Sequence, residues 1–89
     1  MMTVILEGSV MVDRVAVHNH LVERLDLPSY YGRNLDALYD VLTELGEETE
    51  IILRDPGDVV KHLGKYGEAL LNVMQEAAEE NPKLSVTLQ

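Results

Sequence analysis

Three observations predict an α/β fold with a parallel sheet. Short β-rich apolar runs stand near the start, the middle and the end of the chain. Two stretches with helical spacing separate each run from the next. Links of that length act as crossovers, which set successive strands parallel, and such crossovers are right-handed by strong precedent. The expected order is βααβααβ.

Thr3-Val4-Ile5-Leu6 forms the first strand, closed by Glu7-Gly8, and its near-continuous apolarity suggests cover on more than one side. Asp13 is a good N-cap for a first helix in which Val17, Leu21 and Leu25 recur every four residues, with Val22 beside them, until Pro28 stops the pattern. A second helix begins at Asn34 and carries Leu35, Leu38, Leu42 and Leu45, with Gly46 as its terminator. Ile51-Ile52-Leu53 is the second strand. Asp55-Pro56 then supplies a capping residue and the proline favoured in a first turn. Val59, Val60 and Leu63 give the third helix its apolar side, and Gly64 ends it. From Tyr66-Gly67 a longer fourth helix runs through Leu70, Leu71, Met74, Ala77 and Ala78 to Asn81-Pro82. Leu84 to Leu88 alternates apolar and polar residues, as a strand with one covered face does.

The chain of 89 residues is long enough for one domain, residues 1–89, and too short for two. Apolar residues make up 46% of it, while mean hydropathy is only −0.05, which suits a soluble globular protein and argues against disorder. Cysteine is absent, so disulfides and thiolate metal sites are excluded. No apolar run approaches the roughly 20 residues that span a bilayer, and no signal peptide is evident. The cytoplasm is the expected location. The formal charge of −9 repels phosphate at long range and attracts a basic partner.

The residue inventory argues against an enzyme. His18 and His20 lie two apart, a poor metal pair on a helix, and His62 is distant. Ser9, Ser29 and Ser85 are the only serines, and none sits in a G-x-S-x-G elbow. No phosphate-binding or dinucleotide-binding glycine pattern and no calcium loop occurs, so no cofactor is expected. An acyl carrier would need a serine heading the acidic helix, where Asn34 stands.

The stretch YYGRNLDALYD, residues 30 to 40, carries the functional signal. On a helical wheel Leu35, Leu38, Val41, Leu42 and Leu45 cluster on one side, while Asp36, Asp40 and Thr43 form a separate stripe with Tyr39 at the boundary. Aspartates four apart repel each other by about 0.2–0.5 kcal/mol. A solvated helix face is the plainer explanation, and Tyr30 and Tyr31 could cap the core below a turn in which Gly32 supplies a positive φ. Aromatic residues in a loop, a glycine and acids on the next helix together favour an interaction surface.

LDLPSYYGRNLDALYDVL, Leu25 to Leu42, resembles the central motif of the barstar family, intracellular inhibitors of the secreted ribonuclease barnase. The likeness extends to the opening strand, to His18 and to GEALLNVMQEAAEE, which is similar to the family's fourth helix. It implies a barstar-like α/β fold: a three-stranded parallel sheet with about four helices. It also implies a non-enzymatic inhibitor, monomeric before binding, that covers the active site of a basic extracellular ribonuclease of the barnase type, or of a related toxin domain. Tyr30, Tyr31, Gly32, Asn34 and Leu35 match the contacting loop and helix start, although Leu35 also fits the core. Asp36, Asp40 and Thr43 match contacts from the second helix, with Asp40 standing in for an RNA phosphate, and Glu76 matches an outlying contact on the fourth. Three departures bear on the partner: Tyr39 replaces the family tryptophan, Arg33 an acid, and ELGEETE after Thr43 has diverged. An acidic adaptor on the same scaffold, bound to another basic protein, is the alternative.

Overall fold

The computed structural model describes all residues, 1–89. The elements are β1 (Met2–Glu7), a 3₁₀ turn (Gly8–Val10), α1 (Arg14–Leu25), α2 (Leu35–Thr43), β2 (Thr49–Arg54), α3 (Pro56–Leu63), α4 (Lys65–Glu80) and β3 (Leu84–Leu88). The sheet has the order β1-β2-β3 and is parallel throughout, with Val4 opposite Ile51 and Ile51 opposite Val86. The expected order and class are therefore present, with the 3₁₀ turn as an addition.

Burial alternates along the strands. Val4, Leu6, Ile51, Leu53 and Leu84 are buried, whereas Thr3, Ser85 and Thr87 are exposed and Ile5 and Ile52 half-buried. This corrects the expectation that β1 is covered on more than one side: the helices lie over one face, and the strand's continuous apolarity leaves Ile5 partly in water. The outer edge of β1 is shielded differently. Arg24 of α1 donates to the Ile5 carbonyl at 2.9 Å, and His20 Nε2 accepts the Glu7 N–H at 2.9 Å. Unpaired edge groups invite association with other chains, and α1 satisfies two of them here.

α1 starts as read from the sequence, with Asp13 accepting the Ala16 N–H, and it ends on Asp26 in the left-handed region (φ 53°). Asp55 does not act as the expected cap. It sits at φ 53° and its side chain makes no cap bond, so Pro56 alone marks the start of α3. α3 and α4 pack tightly because Gly67 has no side chain: a Cβ there would fall 2.5 Å from the Val59 carbonyl oxygen. No helix is long and apolar enough to cross a membrane.

The end of α2 differs from expectation for a clear reason. The helix stops at Thr43 with Glu44 as C-cap, two residues before Gly46. The helix end and the turn after it are held from elsewhere: the buried Asn81 side chain donates to the Leu42 carbonyl in the last turn of α2 and to the Leu45 carbonyl beyond it, each at 3.0 Å, and Lys83 donates to the Gly46 carbonyl at 2.9 Å. A left-handed glycine is then unnecessary. The residues after α4 thereby fix the C-terminal end of α2 against the sheet.

Candidate functional site

α2 is built to present two unlike faces. Asn34 caps it by accepting the Ala37 N–H at 2.7 Å, and Leu38 and Leu42 are completely buried in the core cluster that also holds Ile51, Leu53, Leu70 and Met74, with α2 packed against α4. Locking that face inward leaves Asp36 and Asp40 exposed on the other. Thr43, on the same stripe, is half-buried, and its hydroxyl donates to the Tyr39 and Asp40 carbonyls at 2.8 and 3.1 Å.

The acids lack internal counter-charges. Ion pairs join only Arg24 with Glu23 and Arg54 with Glu7, so Asp36, Asp40 and Glu76 have no basic group within 4 Å. Leu35, Asp36, Tyr39, Asp40, Val73 and Glu76 surround an open depression of about 480 Å³ between α2 and α4. Five of these were legible in the sequence, and Val73 was not. The Tyr39 hydroxyl records the local field: partial burial, then Glu80, Glu76 and Asp40, hold its pKa above the usual tyrosine value. No three histidine or carboxylate side chains converge as a metal site would require.

The loop before α2 divides its two tyrosines. Tyr30 is 88% exposed, whereas Tyr31 is 6% exposed and belongs to the core. The Tyr31 hydroxyl lies 2.8 Å from His18 Nδ1, and His18 Nε2 lies 2.7 Å from the Tyr66 hydroxyl. One imidazole thus ties the loop to α1 and α4. Tyr31 therefore caps the core below the turn and does not offer its ring at the surface. Burial, then the nearby Tyr66, pushes the Tyr31 phenol up to about 12, against the opposing pull of Arg33. The positive φ expected at Gly32 belongs instead to Arg33, at 53°. What Gly32 provides is room, since a Cβ there would lie 3.1 Å from the Ala37 Cβ.

Arg14, Val15, Arg33 and Tyr66 were not singled out as site residues, yet they line a second depression with His18, Asn34, Leu35 and Asp36. The Arg14 guanidinium stands 4.2 Å from the centre of the Tyr66 ring. Only the departure at Arg33 hinted at this pocket.

His18 and His20 project to different sides, as their spacing requires, and both favour the neutral form. Burial, then Arg33, lowers the pKa of His18 below 6.5; burial, then Arg24, lowers that of His20, with Glu23 and Glu7 opposing. Between these lowered values and 6.5 the unfolded chain binds more protons than the folded one. Their contribution to stability is fully present above pH 6.5 and is lost as pH falls through the folded values. Melting temperature should therefore drop on acidification below 6.5, and the drop should be shallower in His20→Gln, whose amide accepts the Glu7 N–H without titrating. Identical profiles in thermal melts of the two proteins would contradict the assignment to His20.

A small parallel α/β scaffold that displays an anionic helix face without internal counter-charges defines a class of small acidic α/β domain. Comparison with known proteins narrows the class: the family model described as "Barstar (barnase inhibitor)" matches residues 1–89, and the chain belongs to the barstar family. It is also 38% identical over 81 residues to the Bacillus subtilis (strain 168) protein named "Putative ribonuclease inhibitor YrdF", covering 90% of this chain and 89% of that one.

Proposed function

We propose that this protein is a ribonuclease inhibitor that lays α2 and the preceding loop across the active site of a basic bacterial ribonuclease of the barnase type. The observation that carries the proposal is the convergence of Asp36, Asp40 and Glu76 on one depression with no basic group to answer them. Family membership and the name of the 38% identical relative support the same reading.

In this reading Asp40 takes the place of an RNA phosphate among the enzyme's basic groups, and Asp36, Thr43 and Glu76 widen the charged contact. Tyr30, Gly32 and Asn34 form the loop side of the surface, while Tyr39 and Leu35 contribute apolar contact at the rim of the depression. Tyr31 holds the loop from inside through His18. The protein acts inside the cell that makes the nuclease, as a non-catalytic partner. Tyr39, in place of the family tryptophan, and the diverged segment after Thr43 adjust which ribonuclease is accepted.

Titration of the protein against barnase and other basic bacterial ribonucleases tests this function. One-to-one loss of RNA cleavage with at least one of them is expected, and folded protein that inhibits none would contradict it. Association should also slow as salt rises, because steering charges are screened over roughly 10 Å at 0.1 M ionic strength. Stopped-flow association rates at several salt concentrations measure this, and a rate independent of salt would argue against electrostatic capture.

A further inference from the structure

The depression on the loop side of α2 carries charge of the opposite sign. It encloses about 410 Å³ and shares Leu35 and Asp36 with the acidic depression, so the two adjoin along the first turn of α2. Arg14 and Arg33, two of only seven basic residues in the chain, line it together.

Neither arginine is neutralised. Ion pairs occur only at Arg24 and Arg54, which leaves both guanidinium groups without a carboxylate within 4.0 Å. Arg33 donates to the neutral Asn19 side chain, and Arg14 lies over the Tyr66 ring. Those contacts orient the groups and leave their charge unanswered. Arg33 also adopts φ 53°, a region that residues other than glycine rarely occupy, and its side chain lines the pocket.

We propose that this pocket receives one acidic side chain, an aspartate or glutamate, that the inhibited ribonuclease presents beside its basic cleft. The inference rests on the inhibitor reading and names a feature of the partner. The overall charge of −9 and the neighbouring Asp36 disfavour a polyanion such as RNA. A lone carboxylate on a basic protein escapes that penalty, because the acidic half of the surface attracts its carrier. A guanidinium can grip a carboxylate with two parallel hydrogen bonds. Val15 and Leu35 offer apolar contact to the methylenes behind that carboxylate. The lowered pKa of His18 keeps a third positive charge out of the site and so leaves selection to the arginines. Adjacent acidic and basic pockets would reject a ribonuclease carrying a lysine or arginine where an acid is required.

Two experiments test the pocket. In the free protein, NMR titration with N-acetyl-glutamate N-methylamide at constant ionic strength should give saturable shifts at the Arg33 Nε–H and the Tyr66 ring. The glutamine analogue, or the Arg33→Gln variant, should give none. Absence of saturable shifts in the wild type overturns the proposal.

The second uses a ribonuclease that the wild type inhibits. Arg33→Glu should weaken binding by about 30-fold or more, since like charges then face each other, and one acid-to-lysine change on the nuclease should restore most of the loss. If Asp40→Ala weakens binding while Arg33→Glu does not, the pocket proposal fails and the inhibitor reading stands. If Asp40→Ala has no effect, the placement of α2 across the active site fails instead, although inhibition stands.

Discussion

Asp40→Ala is expected to weaken binding to the inhibited ribonuclease by about 2–5 kcal/mol, the cost of stranding the partners of a buried interfacial charge. That range comes in part from barnase and barstar themselves and is carried over from the family. The direction follows from this chain. Asp40 is exposed, its carboxylate makes no hydrogen bond or ion pair within the protein, and it borders the depression that also holds Asp36 and Glu76. Removing it should therefore leave the fold intact. Relief of its repulsion with Asp36 should even stabilise the free protein by about 0.2–0.5 kcal/mol. Opposite signs in the two measurements, weaker binding and slightly greater stability, mark a residue placed for a partner. Glu79→Ala serves as the control: Glu79 is an exposed acid on α4 outside both depressions, and its loss should alter affinity little. Calorimetry with urea unfolding of both variants checks this, and equal affinity losses would count against the assignment.

His18→Ala should cause the largest loss of stability at the site, about 3 kcal/mol. The imidazole is buried and bonded to two tyrosine hydroxyls, one of them on the buried Tyr31. Truncation leaves a cavity, and leaving a buried polar group unsatisfied costs about 1–3 kcal/mol by itself. Tyr31→Phe keeps the ring in the core and removes one bond, so it should cost about 1 kcal/mol. Both changes should slow ribonuclease capture by loosening the loop around Tyr30, Gly32 and Arg33. Urea unfolding decides the point: a loss below about 0.5 kcal/mol for His18→Ala, the range of ordinary surface substitutions, would show that the network does not hold the loop.

The parts of this design that depend on local pattern were open to reading in the sequence. Leu38 and Leu42, at helical spacing, fixed the inward face of α2, and with it the outward aspartates. The parallel order followed from the helical stretches between the β-rich runs. What escaped were contacts between distant residues. His18 meets Tyr31 across 13 positions and Tyr66 across 48, and Asn81 reaches back 39 to the Leu42 carbonyl. Periodicity within one element carries no information about such pairs. The exchange of roles between Gly32 and Arg33 had the same origin: glycine normally claims a positive φ, but here the close approach of Ala37 needs the missing side chain, and the bend falls one residue later. The basic pocket was hidden for a related reason, because Arg14 and Arg33 belong to different elements and only the folded chain places them side by side.

A structure of the protein bound to a ribonuclease it inhibits tests the central claim most directly. The Asp40 carboxylate is expected within hydrogen-bond distance of the enzyme's catalytic basic groups, at the position of an RNA phosphate, with α2 and the Tyr30 loop covering the cleft. A complex in which α2 faces solvent while another surface grips the enzyme would contradict it.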